Sequence, residues 1–155
     1  MGIEEDLQSD KISYLDLSDG IIVSSGTQVV EALEIMRQKR VGTLLVIKSD
    51  KVLAGIFTER DVLLKIADKP STWNRPIDEF MTAEPLTLAA HEVVSHALRL
   101  MNNGHFRNIP VVDKGAIKGN ISQHALIHFL SDRFPIEVYN LPPDLDKFPM
   151  TKEGA

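Results

Sequence analysis

The chain has 155 residues, of which 43% are hydrophobic and 25% charged, the balance of a soluble globular protein able to bury a core in one domain or two small repeats. Seventeen Lys and Arg against 22 Asp and Glu leave a net charge of −5, which argues against docking on nucleic-acid phosphates. The absence of cysteine excludes disulfides, thiolate metal sites and cysteine nucleophiles, and makes a cytoplasmic location the expectation.

The chain opens on the acidic stretch Met1-Gly2-Ile3-Glu4-Glu5-Asp6, where a secretory leader would be basic and then apolar. Asp6 also stands where a myristoylation motif asks for Ser or Thr. The longest apolar run, Val41 to Ile47, is far shorter than the roughly 20 residues that span a bilayer, so no membrane association is expected.

Self-similarity organises the rest of the chain. Ile12, Val29, Ala32, Leu33, Met36 and Val46 recur at one constant spacing as Ile77, Val94, Ala97, Leu98, Met101 and Val111. A single deletion then shortens the spacing by one position, and Gly55, Thr58 and Asp68 recur as Gly119, Ser122 and Asp132. Two homologous halves are predicted, over 12–69 and 77–133, with an N-terminal extension 1–11, a connector 70–76 and a proline-rich tail 134–155. Each half reads as strand, helix, strand, strand, helix. The opening strands are Ile21-Ile22-Val23 and Leu86-Thr87-Leu88. The spacing of Val29, Leu33 and Met36, repeated in Val94, Leu98 and Met101, places apolar side chains on one helical face. The β-branched runs Thr43 to Ile47 and Ile109 to Val112 predict buried strands closed by polar turns. A second strand ends at Phe57 or Ile121, and a helix then runs from Thr58 to about Ala67, or from Ser122 to about Asp132. Pro70, Pro76 and intervening polar residues mark the connector, over which Trp73 packs. Pro135, Pro142, Pro143 and Pro149 keep the tail from forming a long helix.

The junction Gly55-Ile56-Phe57-Thr58-Glu59-Arg60-Asp61 has two readings. Thr-x-x-Asp before an apolar-periodic run is a capping box, in which Thr58 and Asp61 exchange hydrogen bonds with each other's backbone. The same residues suit a nucleotide, because the helix start offers amides to a phosphate, a carboxylate one turn in accepts ribose hydroxyls, and Gly55 lets a ligand approach the backbone. Elsewhere, His124 and His128 stand at metal-ligand spacing on a helix, but no acidic partner completes a motif. Arg37, Lys39 and Arg40 read as a solvated helix C-terminus. No nucleophile–base order and no phosphate-binding glycine loop supports an enzyme.

The repeat together with Gly55-Ile56-Phe57-Thr58-Glu59-Arg60-Asp61 and Arg107-Asn108-Ile109-Pro110-Val111-Val112-Asp113 resembles a tandem pair of CBS domains, named for cystathionine β-synthase, over about Ile12 to Asp132. The resemblance implies an α/β fold of two β-α-β-β-α repeats packed about a pseudo-twofold axis, acting as a regulatory sensor rather than an enzyme. It implies an adenosine-containing ligand in the cleft between repeats, an adenine nucleotide such as AMP, ADP or ATP with S-adenosylmethionine as a further candidate, and no cofactor. Carried over by position, nucleotide contacts fall on Ile22, Val23, Gly55, Thr58, Asp61, Arg107, Asn108, Ile109, Pro110 and Ser122. Asp61 is assigned to the ribose, and Thr58 and Arg107 to the phosphate. Asn108 departs from the usual His or Arg, and Ala125 stands where the second half should have its aspartate, so unequal sites are expected. A homodimer and a regulated protein partner are further implications. The alternative is a structural dimerisation module with degenerate clefts.

Overall fold

The protein, seen in a computed structural model that describes residues 7–133, is a mixed α/β structure built from two matching units. The first contains β1 (Ile21–Ser24), α1 (Val29–Lys39), β2 (Thr43–Lys48), β3 (Val52–Thr58) and a helical segment α2 made of an α-turn, Glu59–Asp61, and a π-turn, Val62–Ile66. After β4 (Thr82–Ala83), the second contains β5 (Leu88–Ala89), α3 (Val94–Gly104), β6 (Asn108–Asp113), β7 (Ala116–Ser122) and α4 (Gln123–Arg133). The acidic start 1–6 and the proline-rich tail 134–155 lie outside the described residues.

Both first helices form for the reason their spacing gives. Val29, Ala32 and Met36 on α1, and Val94, Ala97 and Met101 on α3, are buried along one stripe against the sheet. Each helix stops at a residue in the left-handed conformation, Arg40 (φ 55°) and His105 (φ 57°). Each unit holds three strands, with a parallel β1–β2 or β5–β6 pair and an antiparallel β2–β3 or β6–β7 hairpin. The two meet where Val52 pairs with Ala116, giving the order β1-β2-β3-β7-β6-β5. Thr43 to Val46 are continuously buried because β2 is covered on both faces. One face meets the α1 core with Leu44, Val46 and Phe57. The other presents Leu45 and Ile56 to Ile117 of the second unit.

The segment that leads into each repeat packs into the other repeat's core, an exchange that the residue pattern does not foretell. Ile12 and Leu15 are buried among Leu88, Val94, Ile109 and Ile121, whereas Ile77 is buried among Val23, Val29, Leu44 and Phe57. The backbone follows the same exchange. Ile12 N–H donates to the Glu92 carbonyl and Ile77 N–H to the Thr27 carbonyl, both at 2.8 Å. Orphan amides at the helix starts are satisfied this way too, since Val94 N–H donates to Asp10 O (2.9 Å), and Val29 N–H to Arg75 O (2.9 Å). Trp73 ties the connector back to the end of α2, its indole N–H donating to Ile66 O at 3.3 Å.

The second opening strand is corrected from 86–88 to Leu88–Ala89. Leu86, 42% exposed, precedes the paired residues, and pairing with β6 starts only at Leu88↔Val111.

Asp78, in the segment leading into the second repeat, bridges back to the first. One carboxylate oxygen accepts from Gly26 N–H (2.7 Å) and the other from the Ser25 hydroxyl. Partial burial pushes its carboxyl up, but the hydrogen bonds from Ser25 and Gly26 outweigh this and hold it below the ordinary carboxylate value. A lowered folded-state value means that the stabilisation is present above the unfolded carboxyl's range, near pH 4, and is lost as pH falls through the folded one. Asp78→Asn should therefore cost about 1 kcal/mol at neutral pH, after allowance for solvent screening, and almost nothing at strongly acid pH. Thermal melts of both proteins across that range check this, and an equal difference at every pH would contradict the carboxylate's role.

Candidate functional site

Where β3 runs into α2 and α3 runs into β6, the two units leave a cleft of about 1050 Å³. These two junctions supply most of its polar lining, Thr58, Glu59 and Arg60 from the first and His105, Arg107 and Asn108 from the second, joined by Thr82, Asn102 and Gln123. Pro85 and Leu86, just ahead of β5, add an apolar side, and Leu63, Leu64 and Ile127 from α2 and α4 form the outer wall. The strand-to-helix turn that places Thr58 is fixed by a capping box with Asp61, in which Thr58 N–H donates to Asp61 Oδ2 at 3.0 Å. Asp61 is 6% exposed, and its other oxygen is held by the Lys65 ammonium at 2.8 Å. Lys65 also donates to the Phe80 carbonyl (2.6 Å), which ties α2 to the lead-in of the second repeat.

Arg60 and Arg107 are exposed, and neither guanidinium is engaged by a carboxylate among the described residues. Asn108 is oriented from behind. Its Oδ1 accepts from Asn120 Nδ2 (3.0 Å), and its own amide N–H groups are left for the cleft. Asn120 is fully buried at the position of Ile56 in the first repeat.

The ten residues expected at the site divide. Thr58, Arg107 and Asn108 come together on the cleft wall. Asp61 lies directly behind Thr58, occupied as described. Five others are placed elsewhere. Val23 and Ile109 belong to the two helix-side cores, and Pro110 is buried. Ile22 is 48% exposed on β1, away from this cleft, whose matching apolar side is supplied by Pro85 and Leu86. The space over Gly55 is filled by Met81 and the Thr82 carbonyl, so the glycine admits β4 rather than a ligand. Ser122 borders the pseudo-symmetric position, where it caps α4 by accepting from Ala125 N–H (2.9 Å) and donates its own proton to the Asp19 carboxylate. By the repeat spacing Gly42, which itself lines the Thr58–Arg107 cleft beside Glu59, is the counterpart of Arg107, and Ala125 is the counterpart of Asp61. Sequence reasoning missed Arg60, although it was the one cation inside the junction motif, whereas Leu86 was placed within the second opening strand, among the positions that the resemblance assigns to the adenine.

The sequence profile described as "CBS domain" matches twice, over residues 16–68 and 77–132. The chain belongs to the CBS domain family. A CBS domain-containing protein of Arabidopsis thaliana, CBSCBSPB5, is 33% identical over 107 residues, 68% of this chain and 20% of that protein. The chain thus spans about a fifth of the length of such relatives. Among solved structures, that of CBSX2 in complex with AMP superposes with a TM-score of 0.71 at 24% identity, covering 79% of this chain and 97% of that one. The CBS domain pair of MJ0100, in complex with 5′-methylthioadenosine and S-adenosyl-L-methionine, gives 0.70 at 21% identity, with coverages of 79% and 97%. These likenesses establish the fold of a CBS domain pair. Among the described residues no helix is long and apolar enough to cross a membrane.

Proposed function

We propose that this CBS pair is a regulatory sensor that binds an adenosine-containing nucleotide in the cleft between Thr58 and Arg107. The observation that carries the reading is the pairing of two unengaged guanidiniums, Arg60 and Arg107, with a largely apolar cleft. A phosphate gains charge-assisted, multidentate hydrogen bonds from such groups, and a purine gains apolar contact from Leu86. The ligands named for CBSX2 and the MJ0100 pair, all containing adenosine, support the same class. Asp61 joins the ribose once the half-exposed Lys65 swings away from Oδ1. The competing reading, a structural module with degenerate clefts, draws on that same engagement of Asp61 and on the Asp19 carboxylate at the second position.

A calorimetric and thermal-shift panel of adenosine ligands decides between them. One ligand per chain is expected, and at 100 times its Kd it should stabilise the fold by about 2.7 kcal/mol. A flat panel favours the structural module, and two equivalent ligands per chain would contradict the assignment of one cleft. The proposal includes a homodimer. Leu63, Leu64 and Ile127 are 72%, 63% and 61% exposed beside the cleft, and a second copy laid on this face would cover them. The titrated samples should sediment as dimers at micromolar concentration.

A further inference from the structure

We propose that Glu59 makes this cleft selective for a nucleoside monophosphate over the di- and triphosphate. The inference rests on the nucleotide reading above and adds to it the number of phosphates. Three permanently or normally charged side chains border the cleft together with His105, namely Arg60, Arg107 and Glu59. The two guanidiniums balance the two negative charges of a single terminal phosphate. Each phosphate beyond the first adds charge for which the cleft wall, among the described residues, has no further permanent cation, and it adds it beside a carboxylate.

The backbone that carries this exposed side chain is anchored. Glu59 N–H donates to the Gly42 carbonyl at 3.0 Å, and its side chain folds over the same residue. A methyl group at Gly42 would stand 2.9 Å from the Glu59 Cδ and 3.0 and 3.2 Å from its oxygens. The glycine therefore lets the carboxylate rest on the backbone that ends the α1–β2 turn, where a larger residue would displace it. Glu59 adjoins Arg60 in the chain and lines the same cleft, so a phosphate drawn to Arg60 enters on the wall that carries the Glu59 carboxylate, whose repulsion is felt over a Debye length of about 8–10 Å. The pseudo-symmetric position in the second repeat is Gln123, also exposed and also donating its N–H to the matching carbonyl, that of Arg107 (2.9 Å). The fold thus already accommodates the uncharged isostere at this turn.

The test compares AMP, ADP and ATP by calorimetry on the intact chain and on Glu59→Gln, in magnesium-free buffer and at one pH so that His105 contributes equally. AMP should bind the natural protein at least about tenfold more tightly than ATP, with ADP between them. In Glu59→Gln the AMP-to-ATP ratio should narrow about three- to tenfold, with melting confirming an intact fold. ATP binding as tightly as AMP, or an unchanged ratio in the variant, overturns the role of Glu59 while leaving the nucleotide reading standing. Absence of binding by all three, and by S-adenosylmethionine, overturns both.

Discussion

Arg107→Ala is expected to lower affinity for an adenine nucleotide by about 10- to 100-fold without moving the melting temperature of the free protein. Hydrogen bonds to charged groups are worth about 1.5–3 kcal/mol, which is the range this loss spans. The free protein should be indifferent, because the Arg107 side chain is exposed at the α3–β6 turn and holds no ion pair among the described residues. Its backbone still caps α4 through the bond from Gln123 N–H, and that survives the substitution. Titration calorimetry alongside a melt separates the two effects. Affinity unchanged in the variant would remove the phosphate from this side of the cleft.

The largest effect on stability is expected from Gly119→Ala. A methyl group there would stand 2.5 Å from the Leu17 carbonyl oxygen and 2.6 Å from Leu17 Cβ. Both contacts are far inside van der Waals distance, and one is with backbone, so the lead-in of the first repeat must move off β7. The Asn120 N–H bond to Leu17 O (3.0 Å) is strained with it. Overpacking of this kind costs about 1–3 kcal/mol, and at the upper end the midpoint should fall by roughly 10 °C. Gly55→Ala should cost less. The pseudo-symmetric contact there is partly with the end of a flexible methionine, Met81 Sδ at 2.6 Å, although the Thr82 carbonyl oxygen at 2.7 Å remains. Differential scanning calorimetry of the two variants reports the order, and equal melting of both with the natural protein would show that the arms do not need these glycines.

The pair of glycines shows what was legible from residues and what was not. Their recurrence at the repeat spacing was visible, and it helped to locate the second half. Their purpose was not, because the atoms that fill the space above them come from the opposite repeat, and such long-range contacts leave no periodic trace. Local elements were legible for the opposite reason: Val29, Ala32 and Met36 encode a helical stripe within a few turns of one segment. Leu86 was misplaced because its apolar character fits a strand and a cleft wall equally well. Ile109 and Pro110 came into the site with the motif that starts at Arg107, though alternation along β6 turns Ile109 towards the helix-side core. Asp61 could not be resolved from sequence, since capping and ribose binding ask for the same carboxylate. Lys65, one turn further on, was the available sign that this carboxylate is partnered within the chain.

The exchange that buries Ile12 in the second core and Ile77 in the first has a bearing on how such a chain could arise and be taken apart. A single repeat severed from its sister would retain its helix stripe but lack the strap that fills the end of its core, and would have to borrow one from another molecule. Joining two copies through the short stretch 70–76 turns that loan into an intramolecular event at an effective concentration in the millimolar range. Neither half is then a dispensable appendage. The protein is, in its covalent connectivity, an exchanged dimer written on one thread, and cutting the connector would leave two fragments held together by their straps rather than two independent domains.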